Sequence, residues 1–251
     1  MVDIKTANWK IKDVEAILFD KDGTIIDSHI YWGGIIERRS EALIKRLGLS
    51  PSYHEKLCMV MGFSLKTRKL LPEGPIALVS REKVIGIVCE YLRKEKIDIS
   101  DEEIGAIFTE VHSVFINEIY NYTRILPGLK ELAAKLKSKN IKMAIITTDT
   151  VENTEKIIQF LGIRSYFNLL VGRETTDQPK ATGTPALMAV ESLRVSAKNT
   201  VAIGDAQMDM VMAKKADLKA GIGVTLGQIS RNELLKETAY VIDGYDELNI
   251  I

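Results

Sequence analysis

The second half of the chain alternates short apolar runs with amphipathic stretches, and this alternation limits the possible folds more than any other feature. The apolar runs have the length of buried strands and lie at 141–146, 167–171, 200–203, 220–224 and 240–242. The stretches between them have helical periodicity and lie at 129–139, 152–161, 184–193, 209–216 and 231–236. Short apolar strands joined by helices form parallel sheets that are covered on both faces. We therefore predict an α/β fold with a Rossmann-like parallel sheet, to which an early apolar run at 14–20 adds a strand.

Between this first strand and the rest of the sheet lies a segment in which strand signals nearly vanish. Its apolar spacing predicts helices at 33–48, 52–62 and 81–96, and a further helix that begins after an N-cap at Ser100. We predict that this segment is entirely helical. The chain would then consist of an α/β core, residues 1–28 and 123–251, and an inserted α-helical domain, residues 29–122.

Composition excludes several classes of function. The 251 residues include 34 basic and 34 acidic side chains, and a formal net charge of zero argues against a general binder of nucleic acids or anionic membranes. Two cysteines are too few for a disulfide framework, and no apolar run has the roughly 20 residues of a membrane span. The polar first residues lack the apolar region of a secretory signal. We expect a cytoplasmic protein.

Three of the predicted strands end in polar clusters. Because ligands of an open parallel sheet bind beyond the carboxyl ends of its strands, these clusters are expected to meet at one edge. Their polar side chains are Asp20 and Asp22, Thr147 and Thr148, and Asp205 and Asp209. The threonines offer hydroxyl and backbone donors, and the four carboxylates offer the hard oxygen ligands that suit Mg²⁺.

A plainer interpretation stays open for each cluster. Asp20 and Asp22 would then be solvated loop acids, Asp205 an N-cap, and Asp209 an acid favoured by the helix dipole. Thr147 and Thr148 would be ordinary turn or capping residues.

Two further charged residues lie near these clusters in the chain. Lys180 lies between the third and fourth strands of the core, where a cation can pair with a nucleophilic carboxylate and a phosphate oxygen. We expect it to be the only side-chain cation near the acidic cluster. Asp149 follows Thr148, and an acid beside a bound phosphate is unfavourable unless it points away.

The motifs resemble those of the haloacid dehalogenase-like hydrolase superfamily. Its first motif is similar to Phe19-Asp20-Lys21-Asp22-Gly23-Thr24, its second to Ile145-Ile146-Thr147, its third to Lys180 and its fourth to Gly204-Asp205-x-x-x-Asp209. The helical insert between the first two motifs resembles the C1-type cap of phosphoglycolate phosphatase-like and β-phosphoglucomutase-like members.

This resemblance implies the catalytic roles. Asp20 would be the nucleophile and would form an aspartyl-phosphate. Asp22 would protonate the leaving oxygen and then activate water, while Thr147 and Lys180 would hold the phosphoryl oxygens. An acid at position 22 favours phosphate esters over halides or phosphonates.

The resemblance also implies the metal ligands. Mg²⁺ would be bound by Asp20, Asp205 and the backbone carbonyl of Asp22, with Asp209 as a ligand or in support. Cap residues, including the loop at 71–80, would select the substrate.

The leading hypothesis is a Mg²⁺-dependent phosphatase that acts on a small phosphorylated metabolite, phosphoglycolate-like or a sugar phosphate. The alternatives are a β-phosphoglucomutase-like phosphomutase and a non-catalytic regulatory module with a phosphorylatable aspartate. We expect no nucleic-acid or membrane partner, and a monomer or homodimer. Gly221, Gly223 and Gly227 nearly match a dinucleotide fingerprint, but their spacing is wrong, and we interpret them as turn glycines.

Overall fold

A computed structural model describes residues 1–77 and 79–251 of the chain. Its strands are β1 (Val2–Lys5), β2 (Lys10–Val14), β3 (Ala16–Phe19), β4 (Phe63–Ser64), β5 (Lys69–Leu70), β6 (Lys142–Ile146), β7 (Leu169–Val171), β8 (Thr200–Gly204), β9 (Ala220–Val224), β10 (Tyr240–Ile242) and β11 (Asn249–Ile250). Its α-helices are α1 (Ser28–Leu47), α2 (Tyr53–Val60), α3 (Arg81–Lys94), α4 (Asp101–Asn117), α5 (Leu129–Ser138), α6 (Val151–Phe160), α7 (Thr184–Leu193), α8 (Gln207–Lys215) and α9 (Arg231–Leu235). Short 3₁₀ turns lie at Pro75–Ala77, Ile119–Tyr122, Arg164–Tyr166, Lys180–Thr182, Ala197–Asn199 and Tyr245–Glu247.

The described chain divides into two compact units. One consists of Met1–Asp27 and Arg124–Ile251, and the other is the continuous segment Ser28–Thr123. Within the first unit, the two segments that lead to and from the second are joined, because the Asp27 amide donates to the Arg124 carbonyl at 2.9 Å. Of the loop at 71–80, which we predict to select the substrate, residue 78 lies outside the described residues.

The first unit is built on a six-stranded parallel sheet with the order β10-β9-β8-β3-β6-β7. Every residue of β3 and β8 is buried, as expected for strands covered on both faces. On one face, Leu18, Ala144 and Ala202 pack against α7 and α8. The predicted α/β fold with a parallel sheet and inserted helices is confirmed.

The register of the sheet brings three strand ends level with one another. Phe19, the last residue of β3, pairs with Ile145 of β6 on one side and Ile203 of β8 on the other. The next amide, that of Asp20, donates to the Ile203 carbonyl at 2.8 Å. The residues that follow these strands therefore lie at the same edge.

The second unit is mainly helical, and two of its helices, α3 and α4, begin at serine caps. Before α4, the Ser100 hydroxyl accepts the Glu103 amide at 3.2 Å, while the Glu103 carboxylate accepts the Ser100 amide at 2.9 Å. This capping box confirms Ser100 as the predicted N-cap. Within the described residues, no helix has the length and apolar character needed to cross a bilayer.

Two predictions for the inserted segment are wrong in detail. It is not entirely helical, because β4 and β5 form an antiparallel hairpin; strands of two residues are too short to show a period. Helix α1 begins at Ser28, five residues before the predicted start at position 33. Gly33 and Gly34 lie inside it because they allow close packing: ideal Cβ atoms there would fall 2.5 Å from the Phe63 ring and 2.2 Å from the Tyr122 ring.

Elsewhere the sequence patterns missed one sheet and misplaced two glycines. Strands β11, β1 and β2 form a small antiparallel sheet, whose polar strands lack a continuous apolar run. Gly221 and Gly223 lie within β9 and not in a turn. An ideal Cβ on Gly221 would fall 2.9 Å from the Met210 sulfur, so the glycine is needed for close packing of the helix on the strand.

Candidate active site

Three of the four predicted acids come together at the carboxyl ends of β3 and β8. Each of Asp20, Asp205 and Asp209 offers one carboxylate oxygen, and these oxygens all lie within 4.8 Å of one another. Asp205 and Asp209 are buried, with 7% and 2% of their surface exposed. The Asp22 carboxylate is not part of this group among the described residues and turns instead toward Lys21, whose Nζ is 2.8 Å away.

Lys180 contacts two members of the acidic group. Its Nζ lies 2.6 Å from Asp20 Oδ1 and 2.6 Å from Asp209 Oδ1, and its side chain is only 5% exposed. Burial alone would lower the pKa of Lys180, but the charges of Asp20 and Asp209 outweigh burial and raise it. The lysine is therefore held as a cation against the carboxylate of Asp20.

The pKa values of Asp205 and Asp209 are both raised in this acidic group. Burial raises the pKa of Asp205 well above its usual value, and the charges of Asp20 and Asp209 raise it further. Burial also raises the pKa of Asp209 to about 6, despite the opposing charge of Lys180. One lysine cannot neutralise three clustered carboxylates, so the site fits a divalent cation held by oxygen ligands.

The loop after β3 is a tight turn closed by backbone hydrogen bonds. The Lys21 carbonyl accepts the amides of Ile25 and Ile26 at 2.8 and 3.0 Å. Gly23 has φ of +80°, which favours glycine, and an ideal Cβ there would lie 2.2 Å from Asp205 Oδ2. Burial raises the pKa of Asp22 to about 6, against the opposing charge of Lys21.

Lys21 corrects the expectation that Lys180 is the only side-chain cation nearby. Its side chain is fully buried, and its Nζ lies 2.8 Å from Asp22 Oδ1 and 3.1 Å from Asp149 Oδ2. Asp149 is thus an ion-pair partner, and it also accepts the Asn153 side-chain amide at 2.6 Å. Burial would raise the pKa of Asp149, but Lys21 and these hydrogen bonds lower it. The pairing of Lys21 with an acid 128 positions later leaves no local signal in the sequence.

The threonines and Lys180 line a common pocket. It has a volume of about 180 Å³, and its lining includes Thr147, Thr148, Gly172, Arg173, Gln178 and Lys180. Thr147 is buried, and its hydroxyl oxygen accepts the Asp149 amide at 3.1 Å, while Thr148 is exposed. Arg173 is a second basic residue in this lining that the sequence patterns did not single out.

The plainer interpretation of the last motif holds only in part. The residue at the N-cap position of α8 is Ala206 and not Asp205. Asp209 does have a capping role, because its Oδ2 accepts the Ala206 amide at 3.1 Å. Its other oxygen contacts Lys180, so the same side chain begins the helix and completes the acidic group.

A family profile described as haloacid dehalogenase-like hydrolase matches residues 14–217, most of the chain. The chain belongs to the haloacid dehalogenase-like hydrolase family. The family match confirms the predicted resemblance and, with relatives that are named phosphatases, the predicted enzyme class of phosphoric monoester hydrolase.

The proteins to which this chain is similar carry several names. A phosphoglycolate phosphatase of Aquifex aeolicus is 27% identical over 211 residues, which cover 84% of this chain and 85% of that protein. The crystal structure of a predicted phosphoglycolate phosphatase from Haemophilus somnus has 18% identity and a TM-score of 0.73, covering 94% of this chain and 96% of its own. A β-phosphoglucomutase from Clostridium difficile has 23% identity and a TM-score of 0.61, covering 94% and 93%. At these identities, the two structures share the fold.

Proposed function

We propose that this enzyme is a Mg²⁺-dependent phosphatase that hydrolyses a small phosphorylated metabolite through an aspartyl-phosphate on Asp20. The observation that supports this most is the position of Asp20, whose carboxylate contacts Lys180 at 2.6 Å and belongs to the three-acid group. A carboxylate held beside a cation and a divalent-metal site is suited to attack an anionic phosphoryl group.

The reaction would proceed in two steps on this chain's own residues. An Asp20 oxygen attacks phosphorus and the ester bond breaks, while Asp22 donates a proton to the leaving oxygen. Asp22 then takes a proton from water, which attacks phosphorus, breaks the bond to Asp20 and releases inorganic phosphate. Lys180 and the Thr147 hydroxyl would hold the phosphoryl oxygens through both steps.

The metal site would be formed by the carboxylates of Asp20, Asp205 and Asp209, with the Asp22 carbonyl as the remaining expected ligand. When bound, Mg²⁺ neutralises part of the charge that otherwise keeps a carboxylate and a phosphate apart. Burial and the charges of Asp20 and Asp209 raise the pKa of Asp205, and a bound divalent cation would oppose both effects by favouring the charged carboxylate.

The substrate class belongs to the same proposal. The names of relatives favour phosphoglycolate or a chemically similar phosphorylated metabolite, and sugar phosphates are the second candidates. We assign the helical unit, Ser28–Thr123, the role of a substrate-selecting cap. We also propose a cytoplasmic location, which the free, buried Cys58 and Cys89 support, and a monomer or homodimer.

Assay of the purified chain against phosphoglycolate, sugar phosphates and pyrophosphate, with Mg²⁺ or with a chelator, tests the proposal. We expect phosphate release that stops in chelator and falls at least about 1,000-fold in Asp20→Asn. Asp217→Asn is the matched control, because Asp217 is an exposed acid paired with Lys198, and its activity is expected to be unchanged.

The alternative functions give different results in the same assay. A phosphomutase would convert a sugar phosphate to its isomer without releasing phosphate. A regulatory module would hold a stable phosphoryl group on Asp20 and turn over no ester. Full activity of Asp20→Asn would contradict the mechanism itself.

A further inference from the structure

The turn that follows β9 reaches back to the acidic group. The backbone amide of Gln228 donates to Asp205 Oδ2 at 3.3 Å, and Gln228 itself is only 6% exposed. The two residues are 23 positions apart, and β8 and β9 are neighbours in the sheet. A loop outside the four sequence motifs therefore contacts one of the metal-ligand candidates directly.

Gly227, which precedes this amide, leaves no room for a side chain. An ideal Cβ there would fall 1.8 Å from Asp205 Oδ2 and 2.4 Å from its Cγ. Gly227 is not among the residues with positive φ, so the backbone conformation alone would accept alanine. The glycine is required by the position of the Asp205 carboxylate and not by the shape of the turn.

A second glycine approaches the same carboxylate. An ideal Cβ on Gly23, in the turn after β3, would lie 2.2 Å from Asp205 Oδ2 and 3.0 Å from Oδ1. The Asp205 side chain is thus confined by close backbone approaches from two loops and has a hydrogen bond from one of them. Restricting a ligand in this way reduces the entropy lost when it coordinates a cation.

We propose that Gly227 and the Gln228 amide are positioning elements that fix the Asp205 carboxylate and thereby set the divalent-cation affinity of the site. The inference rests on the proposed function, because it assumes that Asp205 is a metal ligand.

The direct test uses the full chain and Mn²⁺ as the probe, with free Mn²⁺ measured by electron paramagnetic resonance and no substrate present. We expect Gly227→Ala to weaken Mn²⁺ binding about 10- to 100-fold, the usual effect of losing a group that orients a ligand. At saturating metal, kcat is expected to recover to within about threefold of wild type, as for a group that acts through the metal ligand.

Gly223→Ala is the matched control. Its added methyl group would meet the Leu234 side chain at 3.3 Å and not Asp205, so it disturbs packing in the same region. Mn²⁺ affinity in this variant is expected to match wild type. Equal weakening in both variants, or unchanged affinity in a folded Gly227→Ala protein, would overturn the inference.

A second pair of variants covers the case in which Gly227→Ala does not fold. Gln228→Pro removes the amide donor, whereas Gln228→Ala keeps it, so only the proline variant is expected to weaken Mn²⁺ binding. Equal Mn²⁺ affinities in a folded pair contradict the role of the amide. If wild type binds no Mn²⁺ and hydrolyses no ester, the proposed function fails; if wild type does both and the variants match it, only this inference fails.

Discussion

At the scale of single residues, the fully buried Lys21 is expected to contribute strongly to stability. It separates two carboxylates, those of Asp22 and Asp149, that would otherwise lie close together without compensation. We expect Lys21→Met to lower the free energy of unfolding by about 3–5 kcal/mol, because one partner of a buried ion pair is lost. Urea denaturation followed by circular dichroism measures this change.

Lys198→Met provides the control for this prediction. Lys198 pairs with Asp217 on the surface, and losing such a pair costs about 1 kcal/mol or less. Adding Asp149→Asn to Lys21→Met is expected to restore part of the loss. A Lys21→Met protein as stable as wild type would show that the buried pairs contribute nothing.

The ion pair between Lys21 and Asp149 predicts a pH dependence of stability. The pKa of Asp149 in the folded chain is lower than its ordinary value of 3.8. A carboxyl group with a lowered folded-state pKa stabilises the fold fully above its unfolded-state pKa. This contribution is lost as pH falls through the folded-state pKa. The stability difference between wild type and Asp149→Asn, from urea titrations between pH 7 and 3, is therefore expected to shrink toward acid. A constant difference would contradict the ion pair.

Arg39, in the helical unit, is a buried cation, 4% exposed, whose Cζ lies 4.3 Å from the Phe108 ring centroid. In the part of the chain that the structure describes, its Nε has no hydrogen-bond partner. Burial, with a smaller effect from Arg81, lowers its pKa to about 10. Within the described residues, no carboxylate forms a salt bridge with it.

We expect Arg39→Met to raise the free energy of unfolding by about 1 kcal/mol, since the desolvation cost of the buried cation exceeds its cation–π stabilisation. Chemical denaturation measures the change. Arg46→Met, at an exposed pair with Glu110, is expected to stay within about 0.5 kcal/mol of wild type. A large loss of stability in Arg39→Met would contradict the argument.

At the scale of elements, the starts of α4 and α2 can be compared for the contribution of an N-cap to stability. Both hydrogen bonds of the capping box are present at Ser100, whereas Ser52, at the same position before α2, makes no capping bond. We expect Ser100→Ala to lower the free energy of unfolding by about 1 kcal/mol and Ser52→Ala to leave it nearly unchanged. Thermal unfolding of both variants measures the difference, and equal effects would rule out the capping contribution.

The elements also show which features the sequence could predict. Long helices have a clear period, fully buried strands are continuous apolar runs, and parallel strands end at a common edge, so the convergence of Asp20 and Asp205 was predictable. The hairpin of β4 and β5 was not predictable, because strands of two residues have no period.

Contacts through space were the other features that the sequence could not reveal. Lys21 is adjacent to the nucleophile in the chain, but its partner Asp149 belongs to another loop. Gly227 resembles an ordinary turn glycine until the Asp205 carboxylate is found against it. In both cases the residue type is informative only once the tertiary partner is known.

At the scale of the whole molecule, metal binding should couple to stability through the acidic group. We expect Mg²⁺ at about 100 times its dissociation constant to stabilise the fold by about 2.7 kcal/mol, provided that it binds only the folded state. Asp205→Asn is expected to abolish this shift and to stabilise the metal-free protein, because one buried charge is removed. Scanning calorimetry with and without chelator measures both effects, and a Mg²⁺ shift retained in Asp205→Asn would contradict the site.

Strand β3 is synthesised early, but the two strands that pair with it are synthesised much later. It lies in the middle of the sheet, and both of its neighbours, β6 and β8, are encoded after the helical unit. The apolar strand therefore stays without its sheet partners while more than one hundred further residues are synthesised. The intervening unit is continuous in sequence and contains four α-helices, whose hydrogen bonds are local, so it is the part expected to form on the nascent chain first.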